Sequence, residues 1–215
     1  MNNEIPLAER LRPKSLDQYI GQEQIVGSDG PLKLAIRAGA LPSIIFWGPP
    51  GVGKTTLAQI LAEELKKPIF ILSAISSGVK DVREVIERAS RKDLLSSDKP
   101  ILFIDEIHRF SKSQQDSLLG AVERGVITLI GATTENPSFE VIPALLSRCQ
   151  VYVLEAFGVE QLDQMLERAL EKDEWLRAQK VVVKDKKFLY QLSGGDGRKM
   201  PVSYTHLRAH ETSLH

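Results

Sequence analysis

The stretch from Ile44 to Leu65 constrains this chain more than any other. Four apolar residues, Ile44-Ile45-Phe46-Trp47, are followed by Gly48-Pro49-Pro50-Gly51-Val52-Gly53-Lys54-Thr55 and then by an amphipathic run to about Leu65. The order predicts a buried strand, a glycine-rich turn and a helix. That is the setting in which the pattern G-x-x-x-x-G-K-[ST] binds phosphate. The residue types follow from the chemistry. Glycine has no Cβ, so backbone N–H groups can close around phosphate oxygens. The N-terminus of the helix adds a partial positive charge. In this pattern Lys54 reaches the outer phosphates and the Thr55 hydroxyl holds Mg²⁺.

A chain of 215 residues with 42% apolar content can build one sizeable core and a small second domain. The formal net charge is zero, so no global basic field advertises nucleic-acid binding, and any DNA contact must come from local patches or an assembled ring. The one cysteine, Cys149, excludes an intramolecular disulfide framework and fits a reducing compartment. Glu4 and Glu9 interrupt the N-terminus and no apolar run follows, so neither a signal peptide nor a membrane span is expected. The chain reads as soluble and cytoplasmic.

Taken in order, residues 1–43 hold no strong strand. Pro13 stops a helix begun near Leu7, Ser15 can cap a short turn toward Tyr19, and Pro31 to Ala40 reads as a helix. After the glycine-rich loop, Pro68–Ala74 reads as a second buried strand. Val79–Ser90 is expected as a helix with Val82, Val85, Ile86 and Ala89 on one face. Ile101–Ile104 is the third strand, Ser111–Arg124 a helix closed by Gly125, and Val126–Ala132 the fourth strand. A helical turn at Ala144–Leu146 precedes a fifth strand at Val151–Leu154. Strands that are continuous apolar runs, alternating with helices, indicate an α/β fold with a parallel sheet covered on both faces. After Gly158 only helical patterns remain, at Val159–Lys172 and Lys186–Ser193. The expected domains are therefore a core at 1–157 and a partial helical lid at 158–200.

Asp105-Glu106 closes the third strand. Ligands of such sheets sit at the carboxyl ends of strands, which brings Asp105 to the Mg²⁺ held by Thr55. A second carboxylate there can take a proton from an attacking water, and this makes Glu106 the candidate base. Thr133-Thr134-Glu135-Asn136 ends the fourth strand, and a hydroxyl or amide there could hydrogen-bond an outer phosphate or the water. The plainer reading is a turn that Asn136-Pro137 imposes. Arg148 and Arg198 are candidates for contacts to an outer phosphate, although surface arginines are common. His108 follows the acidic pair and is read as structural, since no His/Cys cluster accompanies it.

Together these residues resemble the clamp-loader group of AAA+ ATPases, and within it the replication-associated recombination protein A family with its eukaryotic Werner-helicase-interacting relatives. The resemblance runs from residue 5 to about 199. It rests on Arg12-Pro13, Ile20-Gly21-Gln22, Gly48 to Thr56, Ser76-Ser77-Gly78-Val79-Lys80-Asp81, Phe103 to Phe110, Ile130 to Phe139, and Leu145 to Cys149. The Asp-Glu-Ile-His-Arg-Phe and Ala-Thr-Thr-Glu-Asn-Pro-Ser-Phe stretches are far more specific than the phosphate loop. The resemblance implies a P-loop AAA+ core with a five-stranded parallel sheet and a helical lid. It makes Gly48, Pro49, Pro50, Gly51, Val52, Gly53, Lys54, Thr55 and Thr56 the Walker A segment and Asp105-Glu106 the Walker B pair. Thr134, with Asn136 as second choice, takes the sensor 1 position, and Arg198 takes sensor 2. Arg148 matches the finger that reaches a neighbouring subunit's ATP, and Tyr19-Ile20-Gly21 matches the segment lining the adenine.

ATP and Mg²⁺ are the implied cofactors. The implied partners are DNA, single-stranded DNA-binding protein and further copies of the chain in a homo-oligomer, at stalled or gapped replication forks. A clamp-loader subunit or a branch-migration motor would keep the same chemistry. A nucleotide-binding scaffold without turnover is the contrasting class, and intact Lys54, Asp105 and Glu106 argue against it. The resemblance implies a continuation into a helical oligomerisation domain, which is expected to be missing from this sequence. Residues 201–215 fit no lid helix and match one reading frame of a sequencing-library adapter, so a non-native tail is expected.

Overall fold

The computed structural model describes residues 5–92, 99–178, 186 and 193–199. The chain divides into two compact units. The larger comprises Gln22–Gly48 and Lys54–Leu154. The smaller contains the residues up to Gly21, Pro49–Gly53 and those from Glu155 on.

The smaller unit begins with α1 (Leu7–Arg10), which ends before Pro13. A 3₁₀ turn follows at Leu16–Gln18 with Ser15 in the N-cap position. Ser15 does not cap it through its side chain, contrary to expectation. So short a turn is closed by backbone alone, with Gln18 N–H donating to the Ser15 carbonyl and Tyr19 N–H to that of Leu16.

The larger unit opens with α2 (Glu23–Val26), which the sequence reading did not anticipate, and α3 (Pro31–Arg37), which has Pro31 in its first turn. Its sheet comprises β1 (Ile44–Trp47), β2 (Ile69–Ser73), β3 (Ile101–Asp105), β4 (Thr128–Thr133) and β5 (Gln150–Val153). All pairings are parallel and the order is β2-β3-β4-β1-β5. The intervening helices are α4 (Lys54–Glu64), α5 (Val79–Lys92), α6 (Lys112–Glu123), α7 (Pro137–Glu140) and α8 (Pro143–Leu146). The start of α6 is fixed by a capping box: the Ser111 hydroxyl accepts from Gln114 N–H while the Gln114 side chain accepts from Ser111 N–H.

The central strands bury their apolar residues as the continuous runs predict. Ile44, Ile45, Phe46, Leu102, Phe103, Ile104, Leu129 and Ile130 are fully buried. Ile45, Leu102, Ile104 and Leu129 share a core with Val82, Val85 and Ala89 of α5 and with Leu118 and Ala121 of α6. Leu57, Ile60 and Leu61 of α4 are also buried. Each such side chain contributes about 1.5–3 kcal/mol of burial free energy.

The expectation that every strand is covered on both faces fails at the edges. β2 was read as buried, yet Ile71 is 49% exposed, and in β5 Val153 is 51% exposed. These strands have one neighbour each, β3 for β2 and β1 for β5, so less structure packs over them.

In the smaller unit α9 (Val159–Lys172) buries Leu162, Leu166 and Ala169, and α10 (Glu174–Ala178) buries Leu176. Arg10 forms a two-pronged ion pair with Asp173, with Nε to Oδ2 at 2.7 Å and Nη2 to Oδ1 at 3.1 Å. Arg168 also donates to the Gln18 carbonyl. The expected helix at Lys186–Ser193 falls mostly outside the described residues, as does the segment 201–215.

Candidate active site

Parallel pairing sets the carboxyl ends of β1, β3 and β4 along one edge of the sheet. Trp47 is level with Thr133, Ile104 with Gly131, and Gly48 N–H extends the pairing by donating to the Thr133 carbonyl at 3.2 Å. This edge carries Gly48, Asp105, Glu106, Thr133 and Thr134. Lys54 opens α4 and is buried, 7% exposed, with its Nζ donating to the Gly48 carbonyl at 2.6 Å. Thr55 and Thr56 lie in the first turn of the same helix.

Glu106 occupies an unusual backbone position. Its φ is +55° and ψ +46°, a left-handed conformation that costs a non-glycine residue about 1–2 kcal/mol. The chain pays this to reverse out of β3 into the 3₁₀ turn Ile107–Arg109. Ile107 anchors that turn and is fully buried. It packs where Gly131 has no side chain: a Cβ on Gly131 would stand 3.0 Å from Ile107 Cδ1 and 3.2 Å from Ile45 Cδ1. A glycine in mid-strand thus sets the seat of the turn that carries Glu106.

Two side chains meet at the Glu106 carboxylate. His108 Nδ1 lies 3.3 Å from Oε2, and the Thr134 hydroxyl donates to the same oxygen at 3.4 Å. His108 Nδ1 is also 3.0 Å from Thr133 Oγ1. Of the two sensor 1 candidates, Thr134 therefore stands beside Glu106. Asn136 instead spends its side-chain oxygen on Ser138 N–H as the cap of α7. His108, read from sequence as structural, is drawn to the Glu106 carboxylate by the left-handed turn at Glu106. Its spacing from the acidic pair was visible; the turn was not.

Arg148 does not join this group. It precedes β5, whose first residue pairs with the start of β1, and so lies at the amino edge of the sheet. There it pairs with Glu123 at 2.5 Å and donates to the Ala144 carbonyl at 2.6 Å. Cys149 beside it is partly buried against the core cluster, and burial pushes its thiol up to about 12.

The smaller unit holds Pro49–Gly53, Tyr19, Ile20, Gly21, Asp196 and Arg198. The Tyr19 hydroxyl donates to the Val52 carbonyl at 2.9 Å, and burial raises its pKa. Gly51 has φ +77°, and a Cβ there would lie 1.7 Å from Asp196 Oδ1, so only glycine fits. Gly197 N–H donates to the Gly51 carbonyl at 3.2 Å. The Asp196 carboxylate accepts from Arg198 backbone N–H at 2.8 Å and from Nε and Nη2 at 3.3 Å each. Burial favours the protonated acid, but the bonds and charge of Arg198, with help from Lys199, outweigh it and hold the carboxyl below its ordinary value. Asp196 was not singled out from sequence. Its place two residues before Arg198 was the available signal, but its contact with Gly51 spans most of the chain.

Residues 44–155 match the family described as "ATPase family associated with various cellular activities (AAA)". Replication-associated recombination protein A of Haemophilus influenzae is 52% identical over 77% of this chain and 37% of its own length. The protein named ATPase WRNIP1 of Dictyostelium discoideum is 49% identical over 90% of this chain and 22% of its own. The chain thus spans less than half the length of these curated relatives. Among solved structures, the Thermotoga maritima RuvB Holliday junction branch migration motor superposes with a TM-score of 0.74 at 31% identity, covering 95% of this chain and 67% of that one. These likenesses agree with the resemblance carried by the motifs. Among the described residues, no helix is long and apolar enough to cross a membrane.

Proposed function

Because the chain belongs to the AAA family of ATPases, we propose that it binds ATP with Mg²⁺ and hydrolyses it, with Glu106 as the base that takes the proton of the attacking water. The observation that carries this reading is the convergence of Thr134 and His108 on the Glu106 carboxylate, at the same sheet edge as Asp105 and next to the helix that Lys54 opens.

The residues present fit both ATP and the metal. In the larger unit, Lys54 is a buried cation, and Thr55 and Asp105 supply hard oxygen donors. When bound, Mg²⁺ neutralises phosphate charge, and Thr55 with Asp105 would hold it. Lys54 would exchange its hold on the Gly48 carbonyl for the outer phosphates. Thr134 would orient the water beside Glu106. By the motif resemblance, Ile20 and Gly21 would contact the adenine and Arg198 would take the sensor 2 role. Arg148, paired with Glu123 at the amino edge, would serve a neighbour's site rather than its own.

The biological task we propose is DNA-dependent turnover in replication-fork maintenance and recombination, within a homo-oligomer of the longer protein and together with single-stranded DNA-binding protein. The names of the relatives support this task. A branch-migration motor is the second reading, favoured by the RuvB superposition. Phosphate release measured with gapped duplex and with a four-way junction separates them. Stimulation by gapped DNA without junction movement supports the first; ATP-driven movement of the junction supports the second. Lys54→Ala tests the site itself. It should weaken ATP binding at least tenfold by calorimetry, and equal affinity in parent and variant would remove the phosphate-loop assignment.

A further inference from the structure

We propose that His108 is a positioning residue for Glu106. It acts in the tautomer with the proton on Nδ1, bridging the carboxylate to Thr133 at the end of β4. The inference rests on the ATPase reading above and adds a residue to it.

The hydrogen-bond arithmetic points to this tautomer. A threonine hydroxyl has one proton. Thr133 Oγ1 donates it to the Glu135 carbonyl at 3.1 Å and accepts from Glu135 N–H at 3.0 Å. With its proton on the Glu135 carbonyl, this hydroxyl accepts from His108 Nδ1 at 3.0 Å. The other neighbour of Nδ1, Glu106 Oε2 at 3.3 Å, is a carboxylate oxygen and also accepts. A lone pair on Nδ1 would face two acceptors, whereas an N–H satisfies both in a three-centre bond.

The bridge does two things. With the Thr134 hydroxyl, it gathers both donors on Oε2 and so fixes the carboxylate's rotation, while Oε1 is engaged by neither. It also ties the base to the Thr133–Glu135 turn, so movement of that turn moves the base. Thr133 is fully buried and His108 side-chain exposure is only 12%, so the link is shielded from competing water. A base displaced by about an ångström can lose about a hundredfold in rate.

The test uses single-turnover hydrolysis of labelled ATP by the whole chain in excess, with ATP affinity measured alongside. His108→Ala should lower the rate by about ten- to a hundredfold with ATP affinity unchanged. His108→Asn places an amide N–H where Nδ1 stands and should restore the rate to within a few-fold of the parent. His108→Gln places its amide nearer the Nε2 position and should not restore it. Nitrogen-15 NMR of the imidazole, assigned by the signal lost in His108→Asn, should show Nδ1 protonated in the nucleotide-free protein. An Nε2–H tautomer, rescue by Gln but not Asn, or a normal rate in His108→Ala each overturns the positioning role while leaving the ATPase reading intact. A parent chain indistinguishable from Glu106→Gln removes the ATPase reading, and with it the base that His108 would serve.

Discussion

Removing Arg10 should destabilise the smaller unit by about 2–3 kcal/mol, and the loss should vanish in acid. The Arg10–Asp173 pair has good two-pronged geometry, and the Asp173 side chain is only 4% exposed. Taking one partner from a buried pair costs about 3–5 kcal/mol, because the other charge is left uncompensated. Two observations lower that figure here. The Arg10 side chain is 19% exposed, so water can enter the vacated site, and Asp173 keeps the Leu176 N–H at 3.0 Å as the cap of α10. Asp173→Asn keeps a capping oxygen and loses the charge, so it should cost less, about 1–2 kcal/mol; Asp173→Ala loses the cap as well, adding about 1 kcal/mol. Burial favours protonated Asp173, but hydrogen bonds from Arg10 and Leu176, with the charge of Arg10, hold its carboxyl below the ordinary value. A depressed folded-state value stabilises the fold above the unfolded pKa near 4. That contribution is lost as pH falls through the folded-state value. The assay is urea unfolding of a Trp47→Phe background, which leaves Trp175, in α10, as the single tryptophan reporter of this unit. A cost under about 0.5 kcal/mol at pH 7, within the range of ordinary surface substitutions, or an equal cost at pH 7 and pH 3, would refute the reasoning.

Further outcomes follow from the same geometry. In the assembled oligomer, Arg148→Ala should bind ATP normally yet lose about a thousandfold in turnover. Mixing with Lys54→Ala subunits should restore part of it, and no rescue at any ratio would place Arg148's role within its own subunit. Gly131→Val should cost about 1–3 kcal/mol by forcing Ile107 and Ile45 apart, seen as a lowered midpoint in thermal unfolding; an unchanged midpoint counts against the packing described. Cys149, its thiol pushed up to about 12 by burial, should resist a thiol reagent at pH 8 in the native protein and react readily in denaturant.

What was legible in the sequence was what rests on local pattern. The glycine-rich turn between strand and helix, the central strands and the acidic pair each carry their signal within a few residues. Edge positions were not legible, because Ile69-Phe70-Ile71-Leu72 is as apolar a run as Ile101-Leu102-Phe103-Ile104. Only the strand order shows that β2 has one neighbour and β3 has two. The contacts of His108 were not legible for a related reason. Its partners Glu106 and Thr133 meet it through a left-handed residue and a cross-strand register, and neither is encoded in spacing. Asp196 was missed because its partner Gly51 lies far away in the chain, and a glycine's missing side chain announces nothing about what fills the space.

The central claim, that Glu106 is the base of an ATP-hydrolysing site, is tested most directly by comparing ATP binding with single-turnover hydrolysis in parent and Glu106→Gln protein. The amide keeps the shape and can still accept from Thr134, but it cannot take the water's proton. The account predicts ATP affinity within about twofold of the parent, with hydrolysis reduced by about a hundredfold or more. Hydrolysis at the parental rate in Glu106→Gln would contradict it.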